Sequence, residues 1–313
     1  MSHSFQFTIE QLDAGRRLDE FLALRFGSFS RMRIANVIGA GACRINGDLA
    51  RAGYHLVVGD LLDVSFDEGA PTAMTPEPIP LEAVYEDDQV IVGVKPAGML
   101  VHPTLGVKSG TLANALAYHL NKSMIEDGAW TIEGMATGPP SIRPGMVHRL
   151  DRGTSGLIVM SKTPRALTVL SRHFRKRLVE KRYLALVSGV VEEPAGSINA
   201  PIGRDADQRP RWRVMDGGRQ AETKFRVLER MAEATLLELE PVTGRTNQLR
   251  IHCAYIGHPI VGDEMYGCKE AVMRLCLHAL SLSFHHPMSG EWMEFSSQLP
   301  ADITSIVDLY RSR

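Results

Sequence analysis

The side chains best suited to chemistry cluster at residues 143–163, RPGMVHRLDRGTSGLIVMSKT. A lone carboxylate, Asp151, follows His148 and Arg149 and precedes the turn Gly153-Thr154-Ser155-Gly156. An apolar-ended segment from Pro144 to Leu150 leads into this corner, and a β-type run, Leu157-Ile158-Val159-Met160, leads out. The expected arrangement is strand, polar corner, strand, which presents one carboxylate at a sheet edge. Two adjacent cations should hold Asp151 ionised, because opposite charge favours the charged form. Such a carboxylate is a structural ion-pair partner or a nucleophile; spacing alone favours the ion pair.

Elements on either side would have to position this corner. Residues 15–66 read as a small separate module. Leu18, Phe21, Leu22 and Phe26 recur at helical spacing, and a second helix is expected from Met32 to Ile38, ended by Gly39 and Gly41. Short strands follow at 43–46 and 61–64 around turns at Gly47 and Gly59-Asp60. Gly39-Ala40-Gly41 ends a helix rather than opening one and lacks a third glycine, so it is no dinucleotide fingerprint. Residues 67–80, DEGAPTAMTPEPIP, form a Pro-rich linker, and the second domain runs from 81 to 313. It opens with two strands around the acidic turn Glu86-Asp87-Asp88 and stops at Lys95-Pro96; Lys95 and His102 read as scaffold. An amphipathic helix is expected over 111–120, and 121–142 reads as a loop-like insertion.

Beyond the corner, a helix beginning at Pro164 carries Leu167, Leu170 and Phe174 on one face and Arg172, His173, Arg175, Lys176 and Arg177 on the other. A strand over 179–187 contains Tyr183, which by itself reads as a half-buried aromatic. Residues 203–220 interleave Arg204, Arg209, Arg211, Arg213 and Arg219 with Trp212, which suits a plain surface loop and an RNA-gripping loop equally. After the Thr243-Gly244 turn, Arg250 falls in the first turns of a helix. His252, His258 and His278 have no metal-ligand spacing and read as structural.

Bulk properties narrow the classes. The 313 residues suffice for two domains, with 44% hydrophobic and 23% charged residues, and no apolar run approaches a membrane span. The opening MSHSFQFTIEQ has no basic-then-apolar signal, and four scattered cysteines (Cys43, Cys253, Cys268, Cys276) with no CxxC pair favour a reducing cytoplasm. Net charge is −1, but it is unevenly distributed: residues 143–182 hold eleven Lys or Arg against Asp151 and Glu180. One basic side fits a phosphate-bearing partner or a solvated face.

His148-Arg149-Leu150-Asp151 followed by Thr154-Ser155-Gly156 resembles the signature of the RluA-type pseudouridine synthases. Lys181, Tyr183, Ala185 and Val187 resemble that family's second motif. Residues 244–252, GRTNQLRIH, resemble its GRTHQ(I/L)R-x-H segment, with Asn247 where His is usual. Val94 likewise replaces the Asn of an NKPAG segment, and Gly257–Asp263 and Leu275–Ala279 match closing segments. Residues 15–66 resemble the S4-type RNA-binding domain, with Asn36 where a further cation is common.

The resemblance implies an α+β fold: a mixed, largely antiparallel sheet with flanking helices, preceded by a small S4-type α/β domain. It implies isomerisation of uridine to pseudouridine in RNA, without cofactor or metal; cysteine usage sets the expected location in the cytoplasm, and a monomer is expected. Asp151 would be the nucleophile or sugar-activating carboxylate, Arg250 its charge partner, and Tyr183 the ring that stacks on a flipped-out uracil. Arg149, His148, Arg245, Lys181 and Arg211 would contact substrate, and Arg31, Arg33 and Arg44 would bind RNA through phosphate and shape. An attached S4-type domain resembles enzymes acting on large-subunit ribosomal RNA, with transfer RNA the nearest alternative. A non-catalytic RNA-docking or ribosome-assembly protein is a second class. A glycosidase would need a second carboxylate roughly 5–10 Å away, which no site motif supplies. A serine hydrolase fails because GTSG is not GxSxG.

Overall fold

The computed structural model describes residues 2–26, 31–67, 75–104, 106–127, 144–205, 211–267 and 274–313. The chain divides into two compact units: Met1–Leu81 with Val101–Pro144, and Glu82–Leu100 with Gly145–Arg313.

In the first unit, β1 (Ser2–Thr8), α1 (Leu18–Arg25), α2 (Arg31–Gly39), β2 (Cys43–Ile45), β3 (Asp48–Leu49) and β4 (Leu61–Asp67) follow in sequence. The strands form an antiparallel sheet in the order β1-β4-β2-β3. Strand β1 precedes the 15–66 segment yet belongs to this sheet. Leu18, Phe21 and Leu22 meet on one face of α1 and are buried with Ile34 and Ile38 of α2 and Leu62 and Val64 of β4. Phe7 of β1 packs edge-on to Phe21 and Phe26 at 5.6 and 6.0 Å.

This unit also holds α3 (Leu112–Leu120), started by a capping box between Thr111 and Asn114, and α4 (Lys122–Glu126). The expected amphipathic face of α3 is replaced by burial of every residue from Leu112 to Ala117, which its alanines permit. The expected loop over 121–142 begins with α4, and the rest of it, 128–142, lies outside the described residues, as does 68–74 of the linker.

The second unit contains β5 (Glu82–Glu86), β6 (Val90–Lys95), β7 (Gly145–Met146), β8 (Ser155–Ser161), α5 (Pro164–Lys176) and β9 (Glu180–Ser188). It continues with β10 (Ala195–Asn199), β11 (Ile202–Arg204), β12 (Trp212–Val214), β13 (Glu222–Arg230) and β14 (Ala234–Pro241). The remaining elements are α6 (Gln248–Tyr255), β15 (Leu277–His285), β16 (Trp292–Ser296) and α7 (Ala301–Arg311). The main sheet runs β10-β13-β14-β9-β15-β8-β6-β5, with β16 on β15 and β7 on β8. Among the described residues β8–β15 is its one parallel pairing, so the sheet is mixed and largely antiparallel, as expected. Strands β11 and β12 form a separate hairpin.

All seven residues of β8 are buried, and α5 packs Ala166 and Leu170 against Leu157 and Val159. The approach to the Asp151 corner is less regular than expected: only Gly145 and Met146 pair as a strand before the chain runs irregularly to the turn. At the far side Gly156 adopts φ +114°, and a Cβ there would lie 2.3 Å from the Ala279 carbonyl oxygen. This glycine lets the parallel strands approach beside the corner. No helix among the described residues is long and apolar enough to cross a membrane.

Candidate active site

The Asp151 corner is fixed from both sides. The Thr154 amide donates to the Asp151 carbonyl at 3.1 Å, closing the turn. Lys95, at the end of β6, is completely buried and donates to the carbonyls of Pro96, Met99 and Arg152 at 2.8, 2.8 and 3.3 Å. Burial depresses its pKa to about 8, partly offset by the nearby Asp151 charge. The scaffold reading of Lys95 thus acquires a purpose: it ties the 96–99 loop to the backbone of the corner.

Three elements bring the motif residues together. Tyr183 sits on β9 between Leu239 of β14 and Ala279 of β15, and β15 in turn pairs with β8. Arg250 comes from α6, whose start is locked by Gln248. That side chain accepts from the Thr243 hydroxyl and the Arg245 amide and donates to the Glu222 carbonyl and the Thr223 hydroxyl. His252, one turn along, has both ring nitrogens engaged, by Thr223 Oγ1 and the Ala200 carbonyl.

The pairing of Arg250 differs from the expectation. Its Nε and Nη2 donate to Oδ2 and Oδ1 of Asp263 at 2.7 Å each, and only Nη1 reaches toward Asp151, 3.9 Å from Oδ2. Asp263 is fully buried and also accepts from the amides of Met265 and Tyr266. A planar guanidinium fork satisfies one carboxylate at a time in this geometry, and the buried one holds it.

Asp151 is nearer to Asn247. With its nitrogen turned inward, the Asn247 amide donates to both Asp151 carboxylate oxygens at 3.1 Å and accepts from the Tyr266 hydroxyl at 3.2 Å. The opposite orientation would set an amide oxygen against the carboxylate. Asn247, read from sequence only as a departure from the family pattern, is thus in direct contact with Asp151.

Charge alone does not set the balance at Asp151. The pKa of Asp151 is raised, not lowered: burial outweighs Arg250 and Arg149, Asp263 adds like-charge repulsion, and Lys95 pulls weakly the other way. Tyr183, buried beside this carboxylate, is pushed far above the ordinary phenol range.

Asp151 and Tyr183 open on a cleft of about 870 Å³. Arg149, Lys181 and Arg245 line it as well. Arg149 is exposed and donates to Thr246 Oγ1 at 2.8 Å, and Arg245 Nε donates to the Gln220 carbonyl. His148 borders the cleft, but its ring stacks on Phe174 at 4.5 Å and its Nε2 accepts from the Val159 amide. Burial lowers its pKa to about 3, so it brings no positive charge for phosphate. Arg211 lies over the Tyr266 ring at 5.4 Å. Arg31, Arg33 and Arg44 belong to the first unit: Arg33 is half-buried, Arg44 is exposed with Nη1 on the Gly47 carbonyl, and the Arg31 side chain lies outside the described residues. Among the described residues no three His, Cys, Asp or Glu side chains are grouped to hold a metal.

Sequence reasoning missed Asp263 and Tyr266 as site residues. Asp263 follows Gly262 in a matched segment, but nothing in its spacing links it to an arginine thirteen positions earlier.

Comparison with known proteins adds independent support. Residues 89–255 match the family described as RNA pseudouridylate synthase. The chain is 35% identical over 311 residues to an uncharacterized RNA pseudouridine synthase of Bacillus subtilis, covering 99% of each chain. It is 35% identical to the ribosomal large subunit pseudouridine synthase D of Pasteurella multocida, covering 99% of this chain and 95% of that one. Among solved structures, human RNA pseudouridylate synthase domain containing 4 superposes with a TM-score of 0.57 at 23% identity, over 74% of this chain and 93% of that one, a likeness of fold. With its motifs, its sheet and these relatives in agreement along the chain, the protein belongs to the RluA-type RNA pseudouridine synthases and is an isomerase.

Proposed function

We propose that this enzyme isomerises uridine in large-subunit ribosomal RNA, with Asp151 as its reacting carboxylate. The observation that carries the reading is the placement of Asp151 in a cleft beside the buried Tyr183, under a rim of Arg149, Arg177, Lys181 and Arg245. A base removed from its stack would enter this cleft, with its uracil against the Tyr183 ring. Asp151 would drive cleavage of the bond between uracil N1 and ribose C1′. The uracil would then turn and rejoin C1′ through C5; the C5 proton leaves and N1 gains one, so the product is an isomer. Tyr183, whose hydroxyl burial and Asp151 keep protonated, would serve this exchange as a relay, giving its proton on the N1 side as it takes the one that leaves C5. The reaction needs no cofactor, and we assign the enzyme to the cytoplasm, acting as a monomer.

Arg250 fits this scheme through Asp263: anchored there, its Nη1 offers Asp151 a fixed positive charge at 3.9 Å. We further read the α1–α2 unit as an S4-type RNA-binding domain, with Arg31, Arg33 and Arg44 toward RNA. The ribosomal target is supported by relatives of near-equal length named for the large ribosomal subunit.

Mapping of pseudouridine by carbodiimide-dependent reverse-transcription stops tests both parts. Total RNA is incubated with wild type and with Asp151→Asn. Stops confined to wild type and falling in large-subunit ribosomal RNA are expected. Asp151-dependent stops only in transfer RNA would overturn the target, and stops that persist with Asp151→Asn would overturn the role of Asp151.

A further inference from the structure

We propose that Asn247 is a positioning residue that aims the Asp151 carboxylate, and that Tyr266 couples this bracket to the β11–β12 hairpin. The proposal rests on the reading of Asp151 as the reacting group.

Asn247 sits at the start of α6, where an asparagine ordinarily accepts a hydrogen bond from the helix backbone. Here it makes no such cap, and its backbone is left-handed at φ 53°, ψ 23°. A forgone cap and a sparsely populated backbone region at a cleft-lining residue mark a side chain held for another use. That use is visible in the geometry: one amide nitrogen lies 3.1 Å from both Asp151 oxygens. Donation to both oxygens fixes the rotation of the carboxylate, which the single 3.9 Å approach of Arg250 does not. A neutral donor also favours the ionised carboxylate without drawing it into an ion pair.

The bracket has a second joint. The Asn247 oxygen accepts from the Tyr266 hydroxyl, which itself accepts from the Trp212 amide of β12 at 3.3 Å. The Tyr266 ring carries the Arg250 guanidinium at 5.1 Å and the Arg211 guanidinium at 5.4 Å. Displacement of Arg211 and Trp212 would therefore be felt at the hydroxyl that holds the Asn247 amide. The charged and titratable groups facing Asp151 are Arg250, Arg149, Lys95, Asp263 and Tyr183, and Asn247 is the uncharged donor among them.

Asn247→Gly is the direct test, because glycine accepts the left-handed backbone and removes only the amide. Single-turnover pseudouridine formation is expected to fall on the order of 10–100-fold, as for a misaimed reactive group. The acid limb of its pH profile should move to higher pH, while RNA affinity and thermal stability stay near wild type. Tyr266→Phe should shift rate and limb in the same direction by less, and the two changes should be less than additive, since both act through one amide. Asn247→Asp, similar in shape and in tolerance of this backbone, should raise the acid limb further by like-charge repulsion, and it carries the test if the glycine variant fails to fold. An unmoved rate and acid limb in these variants, with Asp151→Asn inactive, would overturn the bracket alone. Turnover that survives Asp151→Asn would instead overturn the reading on which it rests.

Discussion

Arg250 grips Asp263 with two 2.7 Å hydrogen bonds and approaches Asp151 with a single nitrogen at 3.9 Å. The two carboxylates that share this guanidinium differ in surroundings: Asp263 is fully buried, whereas the Asp151 side chain is 28% exposed to the cleft. Removal of Arg250 would thus strand a buried charge as well as alter the site. Arg250→Ala is expected to cost about 3–5 kcal/mol of folding stability in addition to activity. Denaturant titration against Asp151→Asn, which leaves the buried pair intact, separates the two effects.

Asp151 should work against the fold at neutral pH. Its pKa is raised in the folded state by burial, so its contribution to stability is full below the ordinary carboxylate pKa and is lost as pH rises through the raised value. Asp151→Asn is therefore expected to leave stability at pH 7 equal to or above wild type while abolishing turnover. Wild-type turnover should rise with pH above the ordinary carboxylate range, as Asp151 ionises. Paired thermal melts and single-turnover pH profiles check both signs.

Tyr183 offers a ring and a hydroxyl, and the two separate by substitution. The hydroxyl stays protonated across the usable pH range, since burial and Asp151 both oppose its ionisation. Tyr183→Phe should keep RNA affinity within about threefold and lower turnover by roughly 10²–10⁴, the range for a lost proton-transfer group. Tyr183→Leu should lose a further 1–3 kcal/mol, roughly, in binding of the flipped base through lost stacking. Kd and single-turnover rate, measured side by side, distinguish the contributions.

Arg177 ends α5 with a left-handed backbone, φ 59°, and its exposed side chain lines the cleft. Glycine would relieve about 1 kcal/mol of backbone cost at this position. Arg177→Gly is expected to melt higher than wild type yet bind RNA more weakly, with a salt dependence shallower by about one phosphate contact. Higher stability with unchanged affinity would remove Arg177 from the RNA surface.

Gly156 tests the support of the corner. Alanine there would set its Cβ 2.3 Å from the Ala279 carbonyl oxygen at a φ of +114°. Gly156→Ala should cost about 3 kcal/mol or more, because backbone rather than a flexible side chain stands in the way. Denaturant midpoints of the two proteins measure it.

Much of the local structure was legible in the sequence. Leu18, Phe21 and Leu22 announce α1 because helical spacing and apolar type coincide, and the β-formers from Val179 onward announce β9. The acidic turn at Asp87-Asp88 separates β5 from β6 for the same local reasons. Asp151, Tyr183 and Arg250 stand out in the sequence only through the resemblance, since each alone reads as an ordinary surface or core residue. The helix α3 is legible but its burial is not, because alanine suits an exposed helix face and a close-packed one alike.

Tertiary structure alone decided which groups meet. Periodicity and turn chemistry act over a few residues, so they carry no information on contacts such as Arg250 with Asp263 or Asn247 with Asp151, which depend on how α6 docks against the sheet. The ionisation of Asp151 was likewise decided in three dimensions. Sequence places Arg149 beside it, but only the folded chain supplies the burial and the second carboxylate that outweigh Arg149 and Arg250. In the sequence Asn247 is a substitution in a familiar pattern. In the fold, where α6 begins against the Asp151 corner, its amide stands 3.1 Å from both oxygens of the carboxylate on which the chemistry is proposed to turn.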